Sequence, residues 1–292
     1  MRTPAVRIAI LVLALLAPGI AKADRGQIES VLKSEYQNKV VILRRFYSDA
    51  KLRFDSTGRP VGKVEQGYWT SDGMLRIADV LLDQKHVLHL GAIRIVNEFD
   101  NKTGGFRKLA TKRSVQIEVD LDPSWQETEP VQQLLGKILS SDMKDLLDTI
   151  PDYWQWCMVD GIYQDTTGTW RCGKPGMAET ATGPKFTLPD GRVVYRAGNG
   201  TNPPKLVLSP DPSYTEIANA IRYQGVSTLW IVVDEAGNPT QIHILRPVGV
   251  GLDDKGVEAV RKWRFRPATL DGRPVAVQVD VEVNFRCCPT LP

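Results

Sequence analysis

Hydrophobic and polar residues alternate most regularly near the C-terminus of the chain. From Val275 to Phe285, every second position is valine or phenylalanine, and most of the positions between them are polar. Because successive side chains of a strand point to opposite faces, this pattern predicts a strand with one buried face. Burial of each valine contributes roughly 1.5–3 kcal/mol, so the apolar face should fix the register of the strand.

Two helices and a hairpin are predicted before this strand. Residues 215–223 have a helical pattern, and a stripe of Leu252, Gly256, Ala259, Val260 and Trp263 predicts a second helix that ends before Pro267. Gly237-Asn238, between two apolar runs, predicts the turn of a hairpin. The pattern over residues 203–288 therefore indicates an α+β domain, with helices packed on one side of an antiparallel sheet.

The pattern before residue 160 is different. Residues 24–160 predict a β-rich domain with helices at both ends, although the pattern does not indicate its role. The strand-like runs are residues 40–47, 52–55, 67–69, 74–82, 87–99 and 114–121. Residues 161–202 are rich in glycine and proline and predict a linker, within which Asp190-Gly191 is compatible with a short hairpin.

The first 23 residues have the organisation of a secretory signal peptide. Arg2 and Arg7 precede the apolar run Ile8–Ala17, and Ala21-Lys22-Ala23 forms a small-x-small cleavage site. The apolar run is shorter than the about 20 residues that span a bilayer. We therefore expect export to the periplasm; the alternative is an uncleaved leader that anchors the chain in the inner membrane.

Removal of this leader changes the charge balance. The whole chain has a formal net charge of +3, and the leader contains three basic residues and no acidic ones. The remaining chain is formally neutral. Nucleic-acid binding relies on clustered basic residues, so the balance gives no reason to expect a nucleic-acid partner.

Four cysteines are available for disulfide or metal chemistry. In an oxidising compartment, Cys157 and Cys172 are the preferred pair. No C-x-x-C pair or suitably spaced histidine supports a zinc site, so no metal is expected. Geometry disfavours a bridge between the adjacent Cys287 and Cys288, which leaves a strained bridge, a cross-link between chains or free thiols as alternatives.

Two further groups of residues are candidates for a functional role, namely the aromatic residues around Cys157 and the acidic pair Asp253-Asp254. The aromatic group is either a contact surface or the packing around a disulfide, and packing is the favoured interpretation; it comprises Tyr153, Trp154, Trp156 and Trp170. Asp253-Asp254 fits the first turn of a helix, where acids interact favourably with the helix dipole. No motif combines a nucleophile with a base or cradles a cofactor, so neither catalytic residues nor a cofactor is expected.

Several motifs occur in a fixed order through the last third of the chain. They include Pro210-Asp211-Pro212-Ser213-Tyr214, the Gly237-Asn238 turn, Gly249-Val250-Gly251-Leu252-Asp253, Trp263-Arg264-Phe265-Arg266-Pro267-Ala268 and the strand from Val275. On these residues, the region from about residue 203 to residue 286 resembles the C-terminal domain of the TonB family of periplasmic energy transducers.

The resemblance implies a protein partner and a binding mode. In that family, the C-terminal domain binds a short segment of outer-membrane transporters, which adds as a strand to a sheet edge. By position, the matching edge is Val275–Phe285, with the partner-binding candidates Val275, Val277, Gln278, Val279, Asp280, Val281, Glu282 and Val283.

Two departures from the family pattern leave alternatives open. Family members retain an N-terminal membrane helix and a long proline-rich spacer, whereas this leader has a cleavage site and a β-rich domain takes the place of the spacer. The expectation is a periplasmic binding protein for TonB-type transport. The alternatives are a membrane-anchored energy transducer and a homodimeric structural protein whose sheet edges pair with each other.

Overall fold

The computed structural model describes residues 25–175, 184–198 and 200–286 of the chain. The predicted leader, together with Cys287 and Cys288, lies outside these residues. The described chain is a mixture of helices and strands, as the sequence predicts.

The N-terminal part forms a six-stranded sheet with helices at both ends. The strand order is β2-β5-β4-β3-β1-β6, in which β2 pairs parallel to β5 and the other pairs are antiparallel. Its elements are α1 (Arg25–Tyr36), β1 (Val40–Leu43), a 3-10 turn (Arg44–Phe46), β2 (Lys51–Phe54), α2 (Trp69–Asp72), β3 (Met74–Leu82), β4 (Val87–Asp100), β5 (Gly105–Asp120), α3 (Thr128–Ile138) and β6 (Leu139–Ser140).

A hydrophobic core lies between this sheet and the helices at its ends. Ile28 and Leu32 of α1, together with Leu134 and Leu135 of α3, are buried against alternate residues of the strands. The helical spacing of these residues brings them onto one face of each helix, which accounts for the two flanking helices.

Residues 161–202, predicted to be a linker, contain four short strands in their described part. The strands are β7 (Ile162–Gln164), β8 (Trp170–Cys172), β9 (Lys185–Thr187) and β10 (Val193–Arg196). β7 and β8 form one hairpin, and β9 and β10 form another around Asp190-Gly191. Before them, the chain makes two 3-10 turns (Met143–Leu146 and Asp152–Trp154) and one π-helical turn (Trp156–Asp160). Glycine and proline here lie in and around the turns of hairpins, so a high frequency of these residues does not by itself indicate an unstructured linker.

The C-terminal part forms a five-stranded sheet of order β13-β12-β17-β10-β9. β13 and β17 each pair antiparallel with β12, whereas β10 pairs parallel with β17, so the complete sheet is mixed. The elements are β11 (Lys205–Leu208), α4 (Glu216–Ala220), β12 (Gly225–Val233), β13 (Pro239–Arg246), α5 (Leu252–Val260), β14 (Arg264–Arg266), β15 (Ala268–Leu270), β16 (Arg273–Val275) and β17 (Val277–Phe285).

The two sheets are joined by the end of β4 and the loop before α5. Glu98 and Gly249 form an antiparallel bridge, and the Val250 N–H donates to the Asn97 carbonyl at 2.8 Å. Gly249 has a φ of +87°, and a Cβ there would collide with the Asn97 carbonyl oxygen. Only glycine fits both the backbone conformation and the close approach. The two parts also share one hydrophobic core, in which Trp69 and Ile231 are both buried.

Candidate partner-binding edge

β17 has one fully paired side and one largely unpaired side. On the first side, it pairs antiparallel with β12 along its whole length, from Gly225 opposite Phe285 to Val233 opposite Val277. On the other side, only Val277 and Gln278 pair with β10. Within the described residues, no strand pairs with the edge from Val279 to Phe285. The backbone donors and acceptors on that side are therefore available for a further strand.

The predicted partner-binding residues divide into three groups. Val275 lies in the separate strand β16, opposite Ala268 of β15. Val277 and Gln278 lie where β10 already pairs. The remaining candidates, which are Val279, Asp280, Val281, Glu282 and Val283, lie along the part of β17 with the unpaired edge. The structure thus brings five of the eight predicted residues to one open edge.

The two faces of β17 have different surroundings. Val283 and Phe285 are buried beneath α5, and Gly256 of this helix faces both side chains. Asp280 and Glu282 are exposed on the opposite face, which gives the open edge an acidic character. The Gln278 side-chain amide donates to Asp280 at 2.9 Å, and a guanidinium nitrogen of Arg171 lies 3.9 Å from the same carboxylate.

The opposite outer strand, β13, is covered by the segment that follows the N-terminal sheet. The indole ring of Trp156 stacks on the imidazole of His243 with 4.2 Å between ring centroids and an interplanar angle of 1°. Burial lowers the pKa of His243, which favours the neutral ring in this stack. The turns at residues 152–160 and the strand β8 all lie against β13.

A disulfide between Cys157 and Cys172 fastens this covering segment, as the sequence predicts. The two sulfur atoms are 2.00 Å apart and the two Cα atoms 4.4 Å apart, and both residues are buried. Because the bond joins the π-helical turn to β8, it closes the segment that covers β13 into a loop. Trp154 is buried in the same hydrophobic core as both cysteines, and Tyr153 and Trp156 pack against that core, whereas Trp170 lies against Gly104.

Asp254 links the covering segment to the C-terminal domain. One of its carboxylate oxygens accepts hydrogen bonds from the Tyr153 hydroxyl at 2.9 Å and from the Trp154 indole N–H at 3.1 Å. The other oxygen is buried and has no hydrogen-bond partner. Loss of hydration raises the pKa of Asp254 to about 7, and the adjacent Asp253 contributes in the same direction.

Asp253 holds the loop that contacts the N-terminal sheet. Its carboxylate accepts hydrogen bonds from the Ser227 hydroxyl at 2.7 Å and from the backbone N–H groups of Val248 and Gly249 at 2.9 and 2.6 Å. Burial raises the pKa of Asp253 to about 6. The sequence correctly places the Asp253-Asp254 pair in the first turn of a helix, but it does not show that both side chains are buried and join different parts of the molecule.

The described part of the chain lacks a metal-binding cluster and a membrane-spanning helix. Residues 25–175, 184–198 and 200–286 contain no group of three histidine, cysteine or acidic side chains that could hold a metal ion. No helix within these ranges combines the length and the apolar character needed to cross a membrane.

Comparison with known proteins places the similarity in the C-terminal region. Residues 210–287 match the family described as Gram-negative bacterial TonB protein C-terminal. Protein TonB of Vibrio cholerae serotype O1 is 32% identical over 94 residues, which represent 30% of this chain and 38% of that protein. Protein TonB of Xanthomonas campestris pv. campestris is 35% identical over 75 residues, or 25% of this chain and 34% of that protein.

A solution NMR structure of the Pseudomonas aeruginosa TonB CTD aligns with 37% of this chain and 100% of that chain, at 18% identity and a TM-score of 0.25. This chain spans well under half the length of the TonB relatives, at 38% and 34%. The region from residue 210 to residue 287 matches the TonB C-terminal domain family, and the resemblance predicted from the sequence is confirmed.

Proposed function

We propose that the chain is a periplasmic cell-envelope protein whose C-terminal domain binds an outer-membrane transporter during TonB-type transport. A short extended segment of the transporter would add as a strand to the open edge of β17. The observation that carries this proposal is the unpaired edge from Val279 to Phe285 in a region that matches TonB proteins. TonB proteins are energy transducers and not enzymes, which agrees with the lack of catalytic motifs in the sequence.

The geometry limits how such a segment would bind. β10 pairs with Val277 and Gln278, so the added strand would begin beside Val279 and extend towards Phe285. Main-chain hydrogen bonds along these seven positions would supply affinity. The exposed carboxylates of Asp280 and Glu282 would favour a segment with basic or polar side chains over an acidic one.

Site-specific photo-cross-linking in cells tests the proposal. A photoreactive phenylalanine analogue replaces Glu282 on the open edge or, as the matched control, Glu235 in the exposed hairpin turn. We expect the residue-282 variant to capture an outer-membrane transporter through a short extended segment, and the residue-235 variant not to do so. Cross-linking to a second copy of this chain would instead support the homodimeric alternative.

A proline scan examines the strand-addition mechanism itself. Successive backbone N–H groups of a strand point to opposite edges, so Asp280→Pro, Val281→Pro and Glu282→Pro alternate between the β12 side and the open side. Proline on the β12 side should lower stability, whereas proline on the open side should leave the melting temperature unchanged and abolish transporter capture. Capture that survives every proline would rule out binding through the backbone of β17.

The location of the protein is tested by the intact mass of the native chain in separated periplasmic and inner-membrane fractions. We expect a soluble species that begins at Asp24. A full-length species in the inner membrane would support the alternative of an anchored energy transducer, in which the N-terminal domain takes the place of the spacer.

A further inference from the structure

A second open strand edge lies on β11, apart from the edge of β17. β11 pairs only with β14 among the strands of the described residues. All four of its residues are exposed, and Leu206, Val207 and Leu208 are 48%, 69% and 54% exposed. Exposed apolar edge strands are normally protected by charges, prolines or a covering element. Here Pro204 and Pro210 lie outside the strand and limit only its length.

The strand pair β11-β14 is also strongly basic. Lys205 stands directly opposite Arg266, and Leu208 stands opposite Arg264. Like charges in directly opposed positions destabilise a strand pair. Lys262 lies just before β14, and all four basic residues are exposed. Among the described residues, none of these four takes part in an ion pair with an acidic side chain within 4.0 Å.

The adjoining hairpin turn does not pair with these basic side chains. The turn touches β14 through the Phe265 N–H, which donates to the Gly237 carbonyl at 2.9 Å. Its two acids are Asp234, whose carboxylate accepts the backbone N–H groups of Ala236 and Asn238, and the exposed Glu235. Within the described residues, neither acid forms an ion pair with the basic strand pair, whose charged side chains stay exposed next to an open backbone edge.

We propose that β11 is a second strand-addition site, which binds an extended protein segment of alternating acidic and apolar residues. The backbone of such a segment would pair with the open edge of β11, and its apolar side chains would cover Leu206, which lies opposite Phe265. Its carboxylates would relieve the repulsion between Lys205 and Arg266. A second copy of this chain would bring another basic cluster to the same place, so the charge favours a different, acidic partner.

Fluorescence anisotropy on the full chain tests this site with a labelled peptide of alternating valine and glutamate. We expect saturable binding of this peptide and at least tenfold weaker binding of the matched valine–lysine peptide. The double variant Lys205→Glu/Arg266→Glu should lose at least tenfold in affinity for the glutamate peptide and should gain binding of the lysine peptide. The double variant Leu206→Ser/Leu208→Ser should also lose at least tenfold.

Lys108→Glu/Lys112→Glu on β5 is the matched control, because it makes a similar change of charge at two exposed residues away from β11 and β17. This variant should bind the valine–glutamate peptide within twofold of the unchanged protein. An equal or greater effect of the Lys108→Glu/Lys112→Glu variant, or no saturable binding of the glutamate peptide, would overturn the proposal. A dimer in light scattering that Leu206→Ser/Leu208→Ser abolishes would also overturn it, because the edge would then pair with a second copy.

Discussion

The two sides of the antiparallel core of the C-terminal sheet, β13 and β17, differ in how they are protected. β13 is covered by a disulfide-bonded segment in which Trp156 stacks on His243, and Trp154 anchors that segment to α5 through Asp254. β17 meets only a short strand at its beginning, and its remaining edge is unpaired in the described residues. A strand edge left open without a function risks non-specific pairing with other chains.

This difference suggests a role for the N-terminal part that does not depend on binding. The covering segment follows the N-terminal sheet in the chain and shares a core with it. It therefore attaches β13 to the N-terminal part through a shared core and leaves the open edge of β17 available for binding. On this interpretation, changes on the covered side should affect stability, whereas changes on the open side should affect binding.

The largest effect is expected for Trp154→Ala on the covered side. Trp154 is fully buried, packs edge-on against Trp69 with 5.2 Å between ring centroids, and donates to Asp254. Its removal leaves a cavity and takes away one of the two hydrogen bonds to Asp254, so the free energy of unfolding should fall by about 3–5 kcal/mol. Urea unfolding measures this change, and Trp125→Ala at a partly exposed position is the control. A loss near 1 kcal/mol would mean that the covering segment is only loosely attached.

A smaller loss is expected when the disulfide is removed. Cys157 and Cys172 are 15 positions apart, and closing a loop of this length stabilises a protein by about 3 kcal/mol. The double variant Cys157→Ser/Cys172→Ser should show this loss in urea unfolding. Dithiothreitol should reproduce it in the unchanged protein and have no further effect on the double variant. If β13 became accessible, the double variant would also self-associate, which light scattering detects.

A pH-dependent effect is expected from Asp254. Its pKa of about 7 in the folded protein exceeds the ordinary value of 3.8, so the folded state binds the proton more tightly than the unfolded state. Its contribution is therefore most favourable in acid and is progressively lost as the pH rises from about 4 to about 7. Asp254→Asn keeps an acceptor for Tyr153 and Trp154 but cannot ionise. The decline in stability over this range should be shallower in the variant; equal slopes would show that Asp254 ionises as easily in the folded state as in the unfolded one.

The elements with regular periodicity were the most predictable from the sequence. The alternation from Val277 to Phe285 fits β17, and the apolar spacing from Leu252 fits α5. Residues 67–69 were predicted as a strand, but Trp69 begins the short helix α2, because so short an apolar run does not distinguish a helix from a strand. β5 begins at Gly105, before the predicted residue 114, since Lys108 and Lys112 interrupt the apolar pattern on an exposed surface.

Only part of the candidate site was predictable from the sequence, because pairing between distant strands leaves little trace in the local sequence. The alternation identifies β17, but nothing in it reveals that β10 pairs beside Val277. The burial of Asp254 similarly depends on Tyr153 and Trp154, which are about 100 residues earlier in the chain. The exposed apolar strand at Leu206 was also missed, although its three successive apolar residues between prolines were a visible signal.

The smallest effect is expected for the contact between Arg171 and Asp280, where the covering segment reaches towards the open side. The two charged groups are 3.9 Å apart, and the Asp280 side chain is 41% exposed. Exposed ion pairs contribute about 0–1 kcal/mol, so Asp280→Asn should change stability by less than about 1 kcal/mol. A double-mutant cycle with Arg171→Gln measures the coupling free energy directly. A coupling free energy above about 1 kcal/mol would show that the β7-β8 hairpin also stabilises the β17 side of the sheet. The β13 and β17 sides would then differ less in stability than their strand pairing indicates.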